Sequence, residues 1–342
     1  MKAWVINKIN DLITETQPLQ LVDLPKPEPN EGEILIRINT CGICHTEIDE
    51  VEGRTPPPVF PVIPGHQVVG IVEKSMASES DIQEGDRVGV AWIYSSCGKC
   101  EHCKTGNENL CANFVATGRD VNGGYAEYMV VPAKFAYKIP AIFSDEEAAP
   151  LLCAGAIGYR SVGLCNTKNG DKMGLTGFGA SAHLVLKLIR YQYPDSEVYV
   201  FARNPKEREF ALELGAVWAG NSTDTPPRLL DCIIDTTPVW KPVVHALEFL
   251  KPGGRLVINA IRKESIDQEY LYNIDYERHL WMEKEIKSVA NVTPLDVKEF
   301  IRIAAEMPFK PEVDTYPFEK ANQALLDIKT QKNRGAKVLV VQ

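Results

Sequence analysis

The stretch GLTGFGASAHLVLK, residues 174–187, constrains the fold more than any other. It holds Gly177-Phe178-Gly179-Ala180-Ser181-Ala182, a G-x-G-x-x-A turn. The apolar run DKMGLTGF before it reads as a strand, and ASAHLVLKLIRYQ after it as a helix. In that setting the helix's first N–H groups face a phosphate, and glycine lets the phosphate come close. Gly177, Phe178, Gly179, Ala180 and Ser181 are therefore candidate dinucleotide contacts. The following segments keep alternating. EVYVFAR is a strand, and Asn204-Pro205 caps and starts the helix KEREFALELG. LLDCIIDTT, GRLVINAI and EIKSVANV are further strands, with the helix KPVVHALEFL after the first of them. Such an order implies a doubly wound parallel sheet.

The end of the second strand of such a unit chooses the cofactor. A carboxylate there binds the adenosine ribose and favours NAD. Here Ala202 stands in its place, followed by Arg203 and Asn204. A missing carboxylate and an added guanidinium favour a 2′-phosphate, hence NADP(H) over NAD(H). Arg203 and Asn204 join the candidate cofactor residues, although arginine also stacks on adenine without any phosphate.

The first 140 residues read differently. EILIRINT, HQVVGIVEK, RVGVAWIY and YAEYMVVPA are candidate strands separated by Gly and Pro. Ser144 with Glu147 forms a capping box that opens the helix DEEAAPLLCAGAIGY. Near the end, Thr293-Pro294 starts a helix, EKANQALLDIK makes another, and AKVLVV is a last strand. A net charge of −9 without a basic block argues against nucleic acid or an anionic membrane surface as partner. No signal-peptide core and no apolar run of spanning length are seen, so a cytoplasmic protein is expected.

There are nine cysteines, an odd number. Without a signal peptide the compartment is expected to be reducing, and short spacings then favour metal over disulfides. Cys97, Cys100, Cys103 and Cys111 lie in SCGKCEHCKTGNENLC, spaced C-x2-C-x2-C-x7-C. Four thiolates close a tetrahedron around Zn²⁺ and leave no open position, so such a site braces the fold and does no chemistry. Iron is the competing metal, and four free thiols the plainer alternative. Cys44 in CGICHTEID, His66 in PGHQVVG and Cys153 in PLLCAGAIGY are scattered, and spacing alone does not join them. If joined, two thiolates and an imidazole would leave a fourth position open on Zn²⁺, as catalysis requires.

Taken in order, CGICHTEID, PGHQVVG, the four-cysteine lobe, PLLCAG and the glycine turn resemble the zinc-dependent medium-chain alcohol dehydrogenases over nearly the whole chain. The resemblance implies an α/β protein of two domains. A GroES-like β-barrel catalytic domain would cover 1–148 and 294–342, and a Rossmann dinucleotide-binding domain 149–293. It implies two Zn²⁺ per chain: catalytic at Cys44, His66 and Cys153, structural at the four-cysteine lobe. Glu47 matches the acid that orients the histidine ligand, Thr46 the hydroxyl beside the bound alcohol, and His45 a basic contact to the cofactor pyrophosphate. Trp92 matches a wall of the substrate pocket. Cys41, Cys165 and Cys232 match no ligand position and are expected to be packing residues.

Two positions depart from the pattern. Gln67 stands where the family commonly has Glu, which removes a negative charge near the metal. Asp49 stands where the family often has the histidine that ends the proton relay. A carboxylate with an ordinary pKa of about 3.9 is a weaker base there, so Asp49 is a candidate relay group with water as the alternative. The implied reaction is reversible hydride transfer between a primary or secondary alcohol and NAD(P), with a small alcohol or aldehyde as partner. A polyol or cinnamyl-type aromatic alcohol dehydrogenase on the same fold is the alternative. From another class, a non-catalytic zinc-binding structural protein is the remaining one. The segment EIKSVANV lies where the family pairs subunits, so a homodimer or homotetramer is expected.

Overall fold

In a computed structural model the chain divides into two compact units, Met1–Ala156 with Val292–Gln342, and Ile157–Asn291. The structure describes residues 1–307, 310–330 and 335–342. In chain order the first stretch carries β1 (Lys2–Ile6), β2 (Leu19–Asp23), β3 (Glu33–Ile43), α1 (His45–Val51), β4 (Val68–Ser75) and β5 (Arg87–Val90). It continues with β6 (Ile93–Ser95), α2 (Glu101–Lys104), β7 (Val115–Ala116), β8 (Tyr128–Pro132), β9 (Ala136–Lys138) and α3 (Asp145–Ala148). The helix α4 (Ala154–Leu164) leads into β10 (Lys172–Thr176), α5 (Ala180–Gln192), β11 (Glu197–Phe201), α6 (Pro205–Glu213), β12 (Trp218–Gly220) and β13 (Leu230–Asp235). Then come α7 (Lys241–Glu248), β14 (Leu250–Ile258) and β15 (Glu285–Ser288). The tail adds α8 (Pro294–Glu306), β16 (Val313–Pro317), α9 (Ala321–Lys329) and β17 (Ala336–Val340).

In the first unit the strands join in the order β16-β17-β3-β4-β5-β9, with β8 also on β3. All pairings are antiparallel except β16 with β17. The long β3 anchors this sheet. Its Ile34, Ile36 and Ile38 point one way into an apolar core with Val68, Val88 and Val131, as the two-residue period of a strand requires. The tail strand β17 completes the sheet by pairing Leu339 with Cys41 and Lys337 with Ile43, next to the first candidate ligand. The candidate strand RVGVAWIY divides into β5 and β6, because Ala91 and Trp92 leave the ladder. The anticipated helix DEEAAPLLCAGAIGY is likewise divided. α3 ends at Ala148, a 3-10 turn covers Ala149–Leu152, and α4 begins at Ala154. Pro150 lacks the N–H that an α-helix needs in its interior. Cys153 falls in the break, with φ −130 and ψ −74.

The second unit is a six-stranded parallel sheet in the order β12-β11-β10-β13-β14-β15, as the alternating strands and helices predict. The order reverses between β10 and β13, and ligands of such sheets bind beyond the carboxyl ends of the strands there. Cys165 and Cys232 are not merely packing residues: a disulfide joins them, tying the end of α4 to β13. Cys41 stays a buried thiol. Among the described residues no helix is long and apolar enough to cross a membrane.

Candidate functional site

Three segments of the first unit bring Cys44, His66 and Cys153 together. β3 runs out at Ile43, and Cys44 becomes the N-cap of α1 in extended conformation. Its Sγ accepts from the Thr46 N–H at 3.4 Å. Glu47 reaches back and accepts from the Cys44 N–H at 2.8 Å, completing a capping box. The other oxygen of Glu47 lies 2.7 Å from His66 Nδ1, and both side chains are buried. One carboxylate thus caps the helix that presents the thiol and fixes the imidazole. It sets the ring so that Nε2 is the free ligand atom.

His66 Nε2 lies 3.6 Å from Cys44 Sγ and 3.2 Å from Cys153 Sγ. A tetrahedral ion with Zn–S of about 2.3 Å and Zn–N of about 2.0 Å spaces its sulfur and nitrogen ligands by about 3.5 Å. The donor set and its spacing therefore fit zinc. Gly65, at φ +97, delivers His66; a Cβ there would lie 2.4 Å from the Tyr125 ring, so only glycine suits. The Cys153 thiol, burial and the Glu47 charge together hold the Cys44 thiol well above its ordinary range. A bound cation reverses that preference, since a coordinating thiol is deprotonated outright.

Around the trio, Thr46 is buried beside Cys44 on α1, and His45 is half-buried. Gln67 is buried against Gly42, whose N–H donates to the Gln67 carbonyl at 2.9 Å. Asp49 is bound by Arg54 Nε at 2.5 Å. Trp92 packs on Phe114 with ring centroids 5.0 Å apart, and Arg119 lies over the indole. Sequence reasoning missed Glu50. It is fully buried one turn beyond Glu47, and neither oxygen has a hydrogen-bond partner. Burial first, and then the Glu47 charge, hold its carboxyl well above the usual range. The three-residue spacing from Glu47, which puts both on one side of α1, was the available signal.

The four-cysteine lobe also assembles. Cys97 Sγ is 3.9 Å and Cys100 Sγ 3.5 Å from Cys103 Sγ, and all four sulfurs lie within 4.8 Å of one another. Zinc in a tetrahedron of thiolates spaces them by about 3.8 Å. N–H groups of Lys99 and Cys100 donate to Cys97 and pull its thiol down to about 6. Further N–H groups, of Cys97 and Asn113, donate to Cys111 Sγ at 3.5 and 3.4 Å. A loop that turns its backbone donors onto sulfur is built for thiolates.

In the second unit Gly177 has φ +77, and its N–H donates to the Phe201 carbonyl at 2.8 Å. Gly179 is the N-cap of α5, and no side chain caps that helix. The helix runs 13 residues, long enough for its N-terminus to favour an anion. Phe178 turns inward and packs edge-on against Phe210 at 5.6 Å. Arg203 is exposed just past β11, while Asn204 spends its side chain capping α6, accepting from the Lys206 N–H at 3.0 Å. Arg208 is used locally, donating to the carbonyls of Ala202 and Arg203.

Residues 30–141 match the model of the alcohol dehydrogenase GroES-like domain. The chain is 39% identical over 346 residues to a probable alcohol dehydrogenase, AdhA, of Mycobacterium tuberculosis (strain CDC 1551 / Oshkosh), covering 100% of this chain and 97% of the relative. It is 31% identical over 352 residues to an alcohol dehydrogenase of Geobacillus stearothermophilus, covering 99% and 98%. Among solved structures, a cobalt- and zinc-bound thermostable alcohol dehydrogenase from Pyrobaculum aerophilum superposes with a TM-score of 0.84 at 24% identity, covering 100% and 99%. CAD from Helicobacter pylori, complexed with NADP(H), gives 0.86 at 22% identity, covering 99% and 97%. At these identities the two structures speak for the fold.

Proposed function

The chain belongs to the medium-chain alcohol dehydrogenase family, and on that premise we propose that it is a zinc enzyme using NADP(H) in preference to NAD(H). The observation that carries this reading is His66 Nε2 set between the sulfurs of Cys44 and Cys153 while Glu47 holds Nδ1. When bound, zinc supplies Lewis acidity at the oxygen of a primary or secondary alcohol, and the nicotinamide takes the hydride. Cys44, His66 and Cys153 would hold the ion with three protein side chains. Two thiolates balance the charge of Zn²⁺, and Gln67 adds no further negative charge, which keeps the ion electrophilic. Thr46 offers the hydroxyl that receives the substrate proton. Asp49, held by Arg54, is the candidate acceptor beyond it.

For the cofactor, Arg203 is exposed at the end of β11, where no carboxylate stands. That supports a 2′-phosphate. The four-cysteine lobe would hold a second, structural zinc. The exposed edge strand β15 supports pairing of two chains.

The test is a screen of primary and secondary alcohols and aldehydes with NADP and NAD, alongside zinc analysis. The wild type should carry about two zincs per chain and turn over faster with NADP. Cys153→Ala should lose one zinc and the activity while staying folded. An active Cys153→Ala variant with unchanged zinc content overturns the reading.

A further inference from the structure

One buried cation joins two loops at the carboxyl ends of the parallel strands. β10 ends at Thr176 and β13 at Asp235, side by side in the sheet. Asp235 is fully buried. Its Oδ1 accepts from Thr176 Oγ1 at 2.5 Å and from Thr237 Oγ1 at 2.7 Å. Its Oδ2 is bound by Lys263 Nζ, from the loop that follows β14. The Lys263 side chain is only 8% exposed. Its Nζ also donates to the carbonyls of Thr237 at 2.6 Å and Val239 at 3.1 Å.

The same two loops meet again farther along. The Glu264 N–H donates to the Pro238 carbonyl at 2.6 Å. Asp267 accepts from the N–H groups of Trp240 and Lys241, at 2.9 and 2.8 Å, at the start of α7. Between these fastenings lie Thr236 and Thr237, and both stand against the glycine turn. A Cβ on Gly177 would lie 2.9 Å from Thr236 Oγ1 and 3.0 Å from Thr237 Cγ2. Thr236 is itself held to β10, its hydroxyl donating to the Thr176 carbonyl at 2.9 Å.

Asp235 therefore sits at the point where the strand order reverses, on the side of the sheet where a dinucleotide binds. An uncompensated carboxylate there would be expensive to bury and would repel an anionic diphosphate. We propose that Lys263 is a positioning residue for the dinucleotide: it neutralises Asp235 and clasps residues 236–239 against the glycine turn, so the crevice is formed before the cofactor arrives. The clasp deepens the dinucleotide reading of that turn and rests on it.

Fluorescence titration of the zinc-loaded full chain with NADPH and NADH tests it. K263M should bind the preferred dinucleotide at least about 10-fold more weakly, because Asp235 is then left buried and uncompensated beside the glycine turn. Zinc content should be unchanged. With saturating cofactor, kcat should stay near wild type while KM for the dinucleotide rises. K263R, which keeps the cation, should recover most of the affinity. D235N/K263M leaves no lone buried charge, so it serves even if K263M fails to fold. It should remain several-fold weaker than wild type, because the carbonyls of Thr237 and Val239 stay unclasped. Wild-type affinity in K263M, or in the double variant, overturns the clasp alone. A wild type that binds neither dinucleotide overturns the reading of the glycine turn, and the clasp with it.

Discussion

Glu47 serves two structures with one carboxylate, the N-terminus of α1 and the imidazole of His66. A Gln there would keep the cap but weaken the hold on the ring, so position 47 couples the start of α1 to the orientation of His66. Glu50, a turn later, has no such partner, and burial, then the Glu47 charge, hold its carboxyl well above the usual range. Its sign is the reverse of a salt-bridged acid. The unfolded chain releases the proton near pH 4.3. The folded chain retains it to higher pH, so folding binds a proton across that window. Stability from Glu50 is complete below about pH 4 and is lost as pH rises toward the folded value. Each unit of upward shift costs about 1.4 kcal/mol once both states are ionised. Glu50→Gln should therefore melt higher than wild type at alkaline pH, with the advantage shrinking toward pH 6. An equal difference at both ends, in thermal melts across that range, would sink the idea. At this scale legibility was uneven. Cys44 and Cys41 are three residues apart and equally plausible by spacing; the family pattern separates them. Structure supplies the reason: Cys41 is still inside β3, whereas Cys44 has left it. Glu50 went unread because an acid in TEIDEVE reads as solvated face, and its three-residue spacing from Glu47 was the weaker signal.

Elements were legible where the period was long and punctuated. Every strand of the parallel sheet except the three-residue β12 was anticipated. The hairpin of β1 and β2 was missed, its strands being five residues each with a long loop between them. The helix around Cys153 was read as continuous, because its capping box and apolar run were stronger signals than Pro150. The break frees Cys153 from the phase of a regular α-helix, and its Sγ lies 3.2 Å from His66 Nε2. The Cys165–Cys232 disulfide could not be read from spacing: its partners are separated by 67 residues and meet only after the sheet forms. A loop of that length restricts the unfolded chain enough to stabilise the fold by about 4 kcal/mol. C165S/C232S should accordingly melt below the unreduced wild type. Treatment with a phosphine reductant should bring the wild type down to the variant. A wild type whose melting is indifferent to reductant, with nine alkylatable thiols after unfolding, would refute the crosslink.

At the scale of the molecule, the change near residue 144 from β-rich chain to strand–helix alternation announced two units. The return of the tail to the first unit was not written in its own residues. AKVLVV is an apolar strand like many others; the family resemblance implied its place, and in the structure it pairs with β3. β15 bounds the parallel sheet with all four residues exposed, Ile286 among them. An exposed strand edge is a template for another chain. The native mass by light scattering should be a multiple of 38.0 kDa, and Ile286→Lys should shift the population toward the single chain. A wild type that runs at 38.0 kDa would remove the pairing.

The first unit is interrupted by the whole of the second, and its sheet closes only with residues 336–340. In chain order those five residues come after every strand of the second unit. The parallel sheet has all its strands in hand while the other sheet still waits, its β3 flank open for chaperones or for stray strands. Cys44 lies one residue past the last rung between β3 and β17, so its setting waits on that late pairing.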